Sequence, residues 1–183
     1  MLQINKKNDV KDKKTLAIKI ILPIVLICII AGVWIFKNSQ KEKILVTDDN
    51  PDFALHVTKE IDLEKLKSYG LPIIIDFGAD SCIPCKEMAP VLKELNEELR
   101  GKAIIKFVDV WKYQSFSEGY PISVIPTQVF FDADGKPFSP KDPEAMQMNL
   151  YSSRDKSEHV FTTHEGGIKK DQLLAALKEM GMK

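Results

Sequence analysis

Cys82 and Cys85 stand with two residues between them, as Cys-Ile-Pro-Cys, and that spacing suits two chemistries. Thiols one helical turn apart can both approach one substrate sulfur and then close on each other, a dithiol–disulfide switch. They can also supply half of a metal site. Zinc normally takes four ligands, however, and the chain holds no second cysteine pair, while His56, His159 and His164 are scattered. Ligand count therefore favours redox exchange. The third cysteine, Cys28, lies in an apolar run, where a thiol resists ionisation and hence reaction.

The elements around the pair decide which sulfur attacks. Pro72-Ile73-Ile74-Ile75-Asp76-Phe77 is β-branched and nearly continuous in apolar character, the composition of a strand buried on both faces. It leads through Gly78-Ala79-Asp80-Ser81 directly to Cys82. Beyond the pair, Met88, Ala89, Leu92, Leu95 and Leu99 follow the helical period until Arg100-Gly101 ends it, and Pro90 interrupts the helix without stopping the period. Cys82 is thus expected at a helix N-terminus, where unpaired N–H groups and the helix dipole favour a thiolate. This makes Cys82 the nucleophile and Cys85, one turn further in, the resolving thiol. Pro84 restricts the loop that holds the sulfurs together.

Further elements follow from pattern. Phe53 to Val57 reads as an edge strand, Ile61 to Tyr69 as a helix stopped by Gly70, and Ala103 to Asp109 as a second buried strand. Tyr113 to Gly119 reads as a short helix, Gln128 to Asp132 as a third strand ending in the turn Asp132-Ala133-Asp134-Gly135, and His159 to Thr163 as a last strand. Ile168 to Met180 closes the chain as an amphipathic helix. Residues 137–156, with three prolines and no clear period, read as a surface insertion carrying Met146, Met148 and Tyr151.

Outside this domain, Leu16 to Phe36 is apolar except for Lys19, and at the helical rise it spans roughly 31 Å, close to a bilayer's hydrocarbon thickness. Residues 16–36 are therefore expected to form a transmembrane signal anchor, preceded by a basic cytoplasmic segment, 1–15, and followed by a linker, 37–51. Trp34-Ile35-Phe36-Lys37 does not resemble a small-residue cleavage site, which favours an uncleaved anchor. The lysines before the run outnumber those after it, placing the amino terminus in the cytoplasm and Asn38 to Lys183 outside it. Lys plus Arg and Asp plus Glu balance at 26 each, so overall charge gives no reason to expect nucleic acid as a partner.

The run from Ile75 through Cys82-Ile83-Pro84-Cys85-Lys86 to Ala89-Pro90 resembles the active-site segment of thioredoxins. Val124-Ile125-Pro126-Thr127 resembles that family's loop with a cis proline facing the cysteines. The resemblance, from Phe53 to about Met180, implies an α/β fold, a thioredoxin-like three-layer α/β/α sandwich with a mixed central sheet. It assigns Asp76 to the buried carboxylate that helps deprotonate the resolving cysteine, and Lys106 to a lysine near that carboxylate. Ile125, Pro126, Ile83 and Pro84 become the substrate-facing surface, Pro126 presenting the Ile125 backbone to an extended segment. Ser81 and Gly78 stand where the family usually carries tryptophans, and Ile83 stands where it usually has glycine. Trp111 and Tyr113 are candidates for aromatic surface near the site or for packing.

The expected function is a membrane-tethered oxidoreductase that reduces disulfides of extracytoplasmic proteins. It needs no cofactor beyond the redox-active Cys82–Cys85 disulfide, and an integral-membrane thiol partner of the cytochrome-c-biogenesis type supplies its electrons. A thiol oxidase or isomerase is the nearest alternative. A copper-binding chaperone using the two cysteines with Met146, Met148, His159 or His164 is the alternative from another class.

Overall fold

The computed structural model describes residues 29–31, 50–155 and 157–183. The expected cytoplasmic segment, most of the anchor and nearly all of the linker lie outside the described residues, among which no helix is long and apolar enough to cross a membrane.

The ordered elements are helix α1 (Leu63–Ser68), strand β1 (Ile73–Gly78), helix α2 (Ile83–Glu98), strands β2 (Ile104–Asp109), β3 (Thr127–Phe131), β4 (Met148–Ser152) and β5 (His159–Glu165), and helix α3 (Lys170–Glu179). They build a five-stranded sheet in the order β2-β1-β3-β5-β4. β1 runs parallel to β2 and antiparallel to β3, so the sheet is mixed, and β1, flanked on both sides, is buried along its whole length. Alternation sorts the strand residues into two cores. Ile74, Ile105 and Phe130 face Met88, Leu92 and Leu95 of α2 with Leu173 and Leu177 of α3. Ile73, Ile75, Phe77, Val129 and Phe131 face the other way, toward Phe53 and Leu66. The layers are α/β/α.

The local signals account for the helix ends. Asp62 caps α1 by accepting from Lys65 N at 3.0 Å, and Gly70, at φ 65°, turns the chain out of it. α2 runs through Pro90 to Glu98.

Three expectations need correcting. Phe53 to Val57 is not a strand: Pro51–Phe53 is one 3-10 turn, with Asn50 capping it, and only a single bridge, His56 to Phe107, reaches β2. Proline has no N–H for a ladder, and the asparagine side chain offers the backbone a competing partner. Tyr113 to Gly119 reduces to a 3-10 turn, Gln114–Ser117. Residues 137–156 are more than a surface insertion, because they contain edge strand β4 and Phe138, a core residue whose N–H bonds Phe130 O at 3.1 Å. β4 pairs antiparallel with β5, and only Met148 of its first three residues is buried, which removes the alternation that would have marked it.

Candidate active site

Cys82 is the N-cap of α2. Its Sγ accepts from Cys85 N at 3.4 Å, and its own carbonyl takes the N–H of Lys86 at 3.0 Å. The sulfur that the sequence nominates as nucleophile is therefore held by one of the helix's otherwise unpaired donors, the Cys85 N–H, which favours negative charge there. Cys82 and Cys85 form a disulfide with their Cα atoms 5.3 Å apart. Both are buried, and Ala79 and Ile125 pack against them. Between them Ile83 is 72% exposed, so the rim of the site is an open aliphatic surface.

The segment leading to Cys82 is fixed from β2. Asp109, at that strand's end, accepts from Asp80 N at 3.1 Å through one oxygen and from Trp111 N and Lys112 N at 3.0 Å through the other. Partial burial would push this carboxyl up, but those backbone donors outweigh it and hold the group below its usual range. Asp109 thus ties the turn before the cysteines to the turn carrying Trp111. Gly78 opens the first of these turns. A Cβ there would lie 2.9 Å from Phe107 Cε2 and 3.1 Å from Cys85 Sγ, so its lack of a side chain lets β1, β2 and the dithiol meet.

Asp76 precedes Gly78 by two residues on the same strand and projects to the same sheet face, toward α2. It is fully buried. Gln128 Nε2 donates to its Oδ1 at 2.8 Å, while its Oδ2 has no hydrogen-bond partner. Burial pushes this carboxyl up to about 7, and the Gln128 donor works against that rise. A carboxyl that exchanges its proton near neutrality, on the face abutting the resolving thiol, has the properties of a general base.

Opposite the dithiol, Ile125–Pro126 is a cis peptide, as the family resemblance implies. Gly166 N donates to Pro126 O at 2.8 Å and Thr127 Oγ1 to Val124 O at 2.7 Å, fixing the loop from both sides. Beside it Trp111, 65% exposed, lines with Val110, Val124 and Ile125 an open groove of ≈ 580 Å³. Trp111 is therefore surface, whereas Tyr113 stacks on Phe116 with ring centroids 5.1 Å apart.

Lys106 does not join the site. It pairs in register with Ile75 and so points to the face opposite Asp76, where its Nζ donates to Pro51 O at 2.9 Å and Ala54 O at 2.8 Å. Its part is to fasten the segment before α1. The residues nominated as copper ligands are likewise engaged elsewhere. Met148 is core, Met146 packs against that core, His159 bonds Phe161 O and Thr162 Oγ1, and His164 bonds Gln128. Among the described residues no group of three or more His, Cys, Asp or Glu is arranged to hold a metal ion. Asp109 and Gln128 are site residues that the sequence did not announce, and His164, nominated there only as a metal ligand, joins them through Gln128.

This constellation has known counterparts. Residues 54–153 match the family model described as Thioredoxin. The chain is similar to thioredoxin Y of rice chloroplasts, 38% identical over 74 residues covering 40% of this chain and 44% of that protein. It is also similar to the thioredoxin of Mycoplasmoides gallisepticum, 36% identical over 81 residues, 44% of this chain and 79% of that one. The matched region thus spans less than half the length of the chloroplast relative. Among solved structures, a point-mutant thioredoxin from Halobacterium salinarum NRC-1 superposes with a TM-score of 0.50 at 25% identity, over 75% of this chain and 98% of its own. With the family model covering more than half of its residues, a cysteine pair whose first member caps α2 and a cis proline beside it, this chain belongs to the thioredoxin family.

Proposed function

We propose that this protein is a thiol–disulfide oxidoreductase that reduces disulfides of extracytoplasmic proteins while tethered to the membrane by residues 16–36. The observation that carries the chemistry is the position of Cys82 Sγ as the cap of α2, accepting from Cys85 N. Once the pair is reduced, the Cys82 thiolate attacks one sulfur of a substrate disulfide. A Cys82–substrate bond forms, the substrate S–S bond breaks, and the departing thiolate takes a proton from water. Cys85 then attacks Cys82 Sγ, its proton passing toward Asp76, and the second substrate thiol leaves. Two electrons have moved to the substrate and the Cys82–Cys85 disulfide remains.

The exposed rim of Ile83, Val124 and Trp111 supports an extended, partly apolar substrate segment laid along the Ile125–Pro126 loop. The membrane tether is supported by the length and apolarity of residues 16–36. A domain held there is suited to drawing electrons from an integral-membrane thiol protein.

Replacing Cys85 by Ser removes the resolving step and tests the whole scheme. Expressed as the full chain, Cys85→Ser should accumulate reductant-sensitive adducts with a membrane thiol protein and with extracytoplasmic substrates, all lost in the Cys82→Ser Cys85→Ser double variant. Absence of any adduct through Cys82 would sink the proposal.

A further inference from the structure

One row of side chains crosses the sheet beneath α2 and α3. In register order it reads Phe107, Asp76, Gln128, His164 and Met148, one residue from each strand. The two ends are apolar and the three central members are polar. All five are buried, Asp76, Gln128 and His164 almost wholly so. Polar groups are costly in such a place unless they bond one another.

Their bonds fix the polarity of the amide. Gln128 Nε2 faces two acceptors, Asp76 Oδ1 at 2.8 Å and the Gly166 carbonyl at 3.2 Å, with Met88 Sδ at 3.7 Å beyond. Gln128 Oε1 faces His164 Nδ1 at 2.9 Å. The N–H₂ end must therefore lie toward Asp76, and His164 must carry its proton on Nδ1 and donate it. Were the amide turned over, its carbonyl would oppose the carboxylate and the bond would survive only with Asp76 protonated.

We propose that Gln128 and His164 are positioning residues for the exchange reaction: His164 holds the amide in one orientation, so that Gln128 presents an N–H to Asp76 and stabilises the carboxylate that receives the Cys85 proton. This rests on the function proposed above. In the step concerned, Cys85 Sγ bonds Cys82 Sγ, the Cys82–substrate bond breaks with its electron pair leaving on the substrate thiolate, which takes a proton from water, and the Cys85 proton is accepted on the Asp76 side and later returned to water.

Gln128 of β3 is the hydrogen-bond donor to Asp76, with His164 of β5 behind it and Met88 of α2 against the amide; Phe107 of β2 is the register neighbour of Asp76, and Cys85 of α2 lies over Gly78, two residues along the same face of β1. Lys106 lies on the other face. Burial lowers the proton affinity of His164, which keeps the ring neutral, the form with one donor and one acceptor nitrogen. The amide donor opposes the effect of burial on Asp76.

The test is a carbon-13 carboxyl titration of Asp76 in the full oxidised chain in detergent, assigned with Asp76→Asn, alongside the pH profile of disulfide reduction. Gln128→Met removes the donor and should raise the Asp76 midpoint by about one pH unit or more, a size set by one hydrogen bond to a charged group. The acid limb of the rate profile should move with it. His164→Phe keeps a ring but frees the amide, and should shift both in the same direction by less. If Gln128→Met does not fold, Gln128→Leu, which likewise has no donor and carries no charge, takes its place with the same expected direction. Unmoved midpoints in folded variants would overturn the inference, as would a shifted midpoint with an unshifted rate profile. The titration needs no turnover, so an inactive wild-type chain would sink the proposed function while leaving the row itself tested.

Discussion

Asp76 and Lys106 are charged side chains buried in neighbouring strands one register step apart, and the sheet sends them to opposite faces. Lys106 spends its ammonium on two backbone carbonyls, and so joins β2 to the Pro51–Ala54 segment. Burial still pulls it down to about 8, with Asp52 pulling the other way. Asp76 has one donor, one oxygen without a partner, and a proton affinity raised to about 7. A buried charge with its bonds satisfied serves architecture. One left partly unsatisfied is held ready for a second protonation state, and its cost is borne by the rest of the fold.

Replacing Asp76 by Asn is the strongest way to break this contrast. The folded value of about 7 lies above the ordinary value of 3.8, so between them the native state holds more protons than the unfolded one, and stability falls as pH rises through that window. Asp76→Asn removes the penalty. It should stabilise the protein by roughly 2–4 kcal/mol at pH 8, judged from the size of the shift, and by little at pH 4. Denaturant melts at the two pH values check this, and disulfide reduction should slow about tenfold or more if the carboxylate is the base. Equal stabilisation at both pH values would refute the charge argument.

Lys106→Met should act in the opposite sense. With two carbonyls losing their donor, it should destabilise by roughly 1–3 kcal/mol while leaving exchange rates within about twofold. A large activity loss without destabilisation would return Lys106 to the site. Asn96 offers the smallest and sharpest test, because its Nδ2 donates to Phe53 O at 2.9 Å and to Ile105 O at 3.0 Å, holding the same segment from α2. Asn96→Ala should cost about 1–2 kcal/mol, and in a double-mutant cycle with Lys106→Met the two should couple by about 0.5 kcal/mol or more. Strict additivity would show that they do not share the segment.

The same contrast shows what was legible in the sequence. Ile73–Phe77 and the period of Met88, Leu92 and Leu95 announce a central strand and a long helix, because burial on both faces and burial on one face leave different repeats. The cysteine pair and the Ile125–Pro126 loop are short, local motifs, and the structure brings them together. Register is not local. Whether Lys106 shares a face with Asp76 depends on Ile75 pairing with Lys106, which no spacing along the chain encodes. The pairing of Gln128 with Asp76 and with His164 stayed hidden for the same reason: those bonds span 52 and 36 residues. β4 was obscured by prolines before it and by the weak alternation of an edge.

Gly78 and Phe107 occupy one space between them, since a Cβ on the first would touch the ring of the second at 2.9 Å. In evolutionary terms the two positions are epistatic. A side chain added at 78 requires the Phe107 ring to shift and also presses on Cys85 Sγ at 3.1 Å. The residue tolerated at either position is therefore conditioned by the strand next to it.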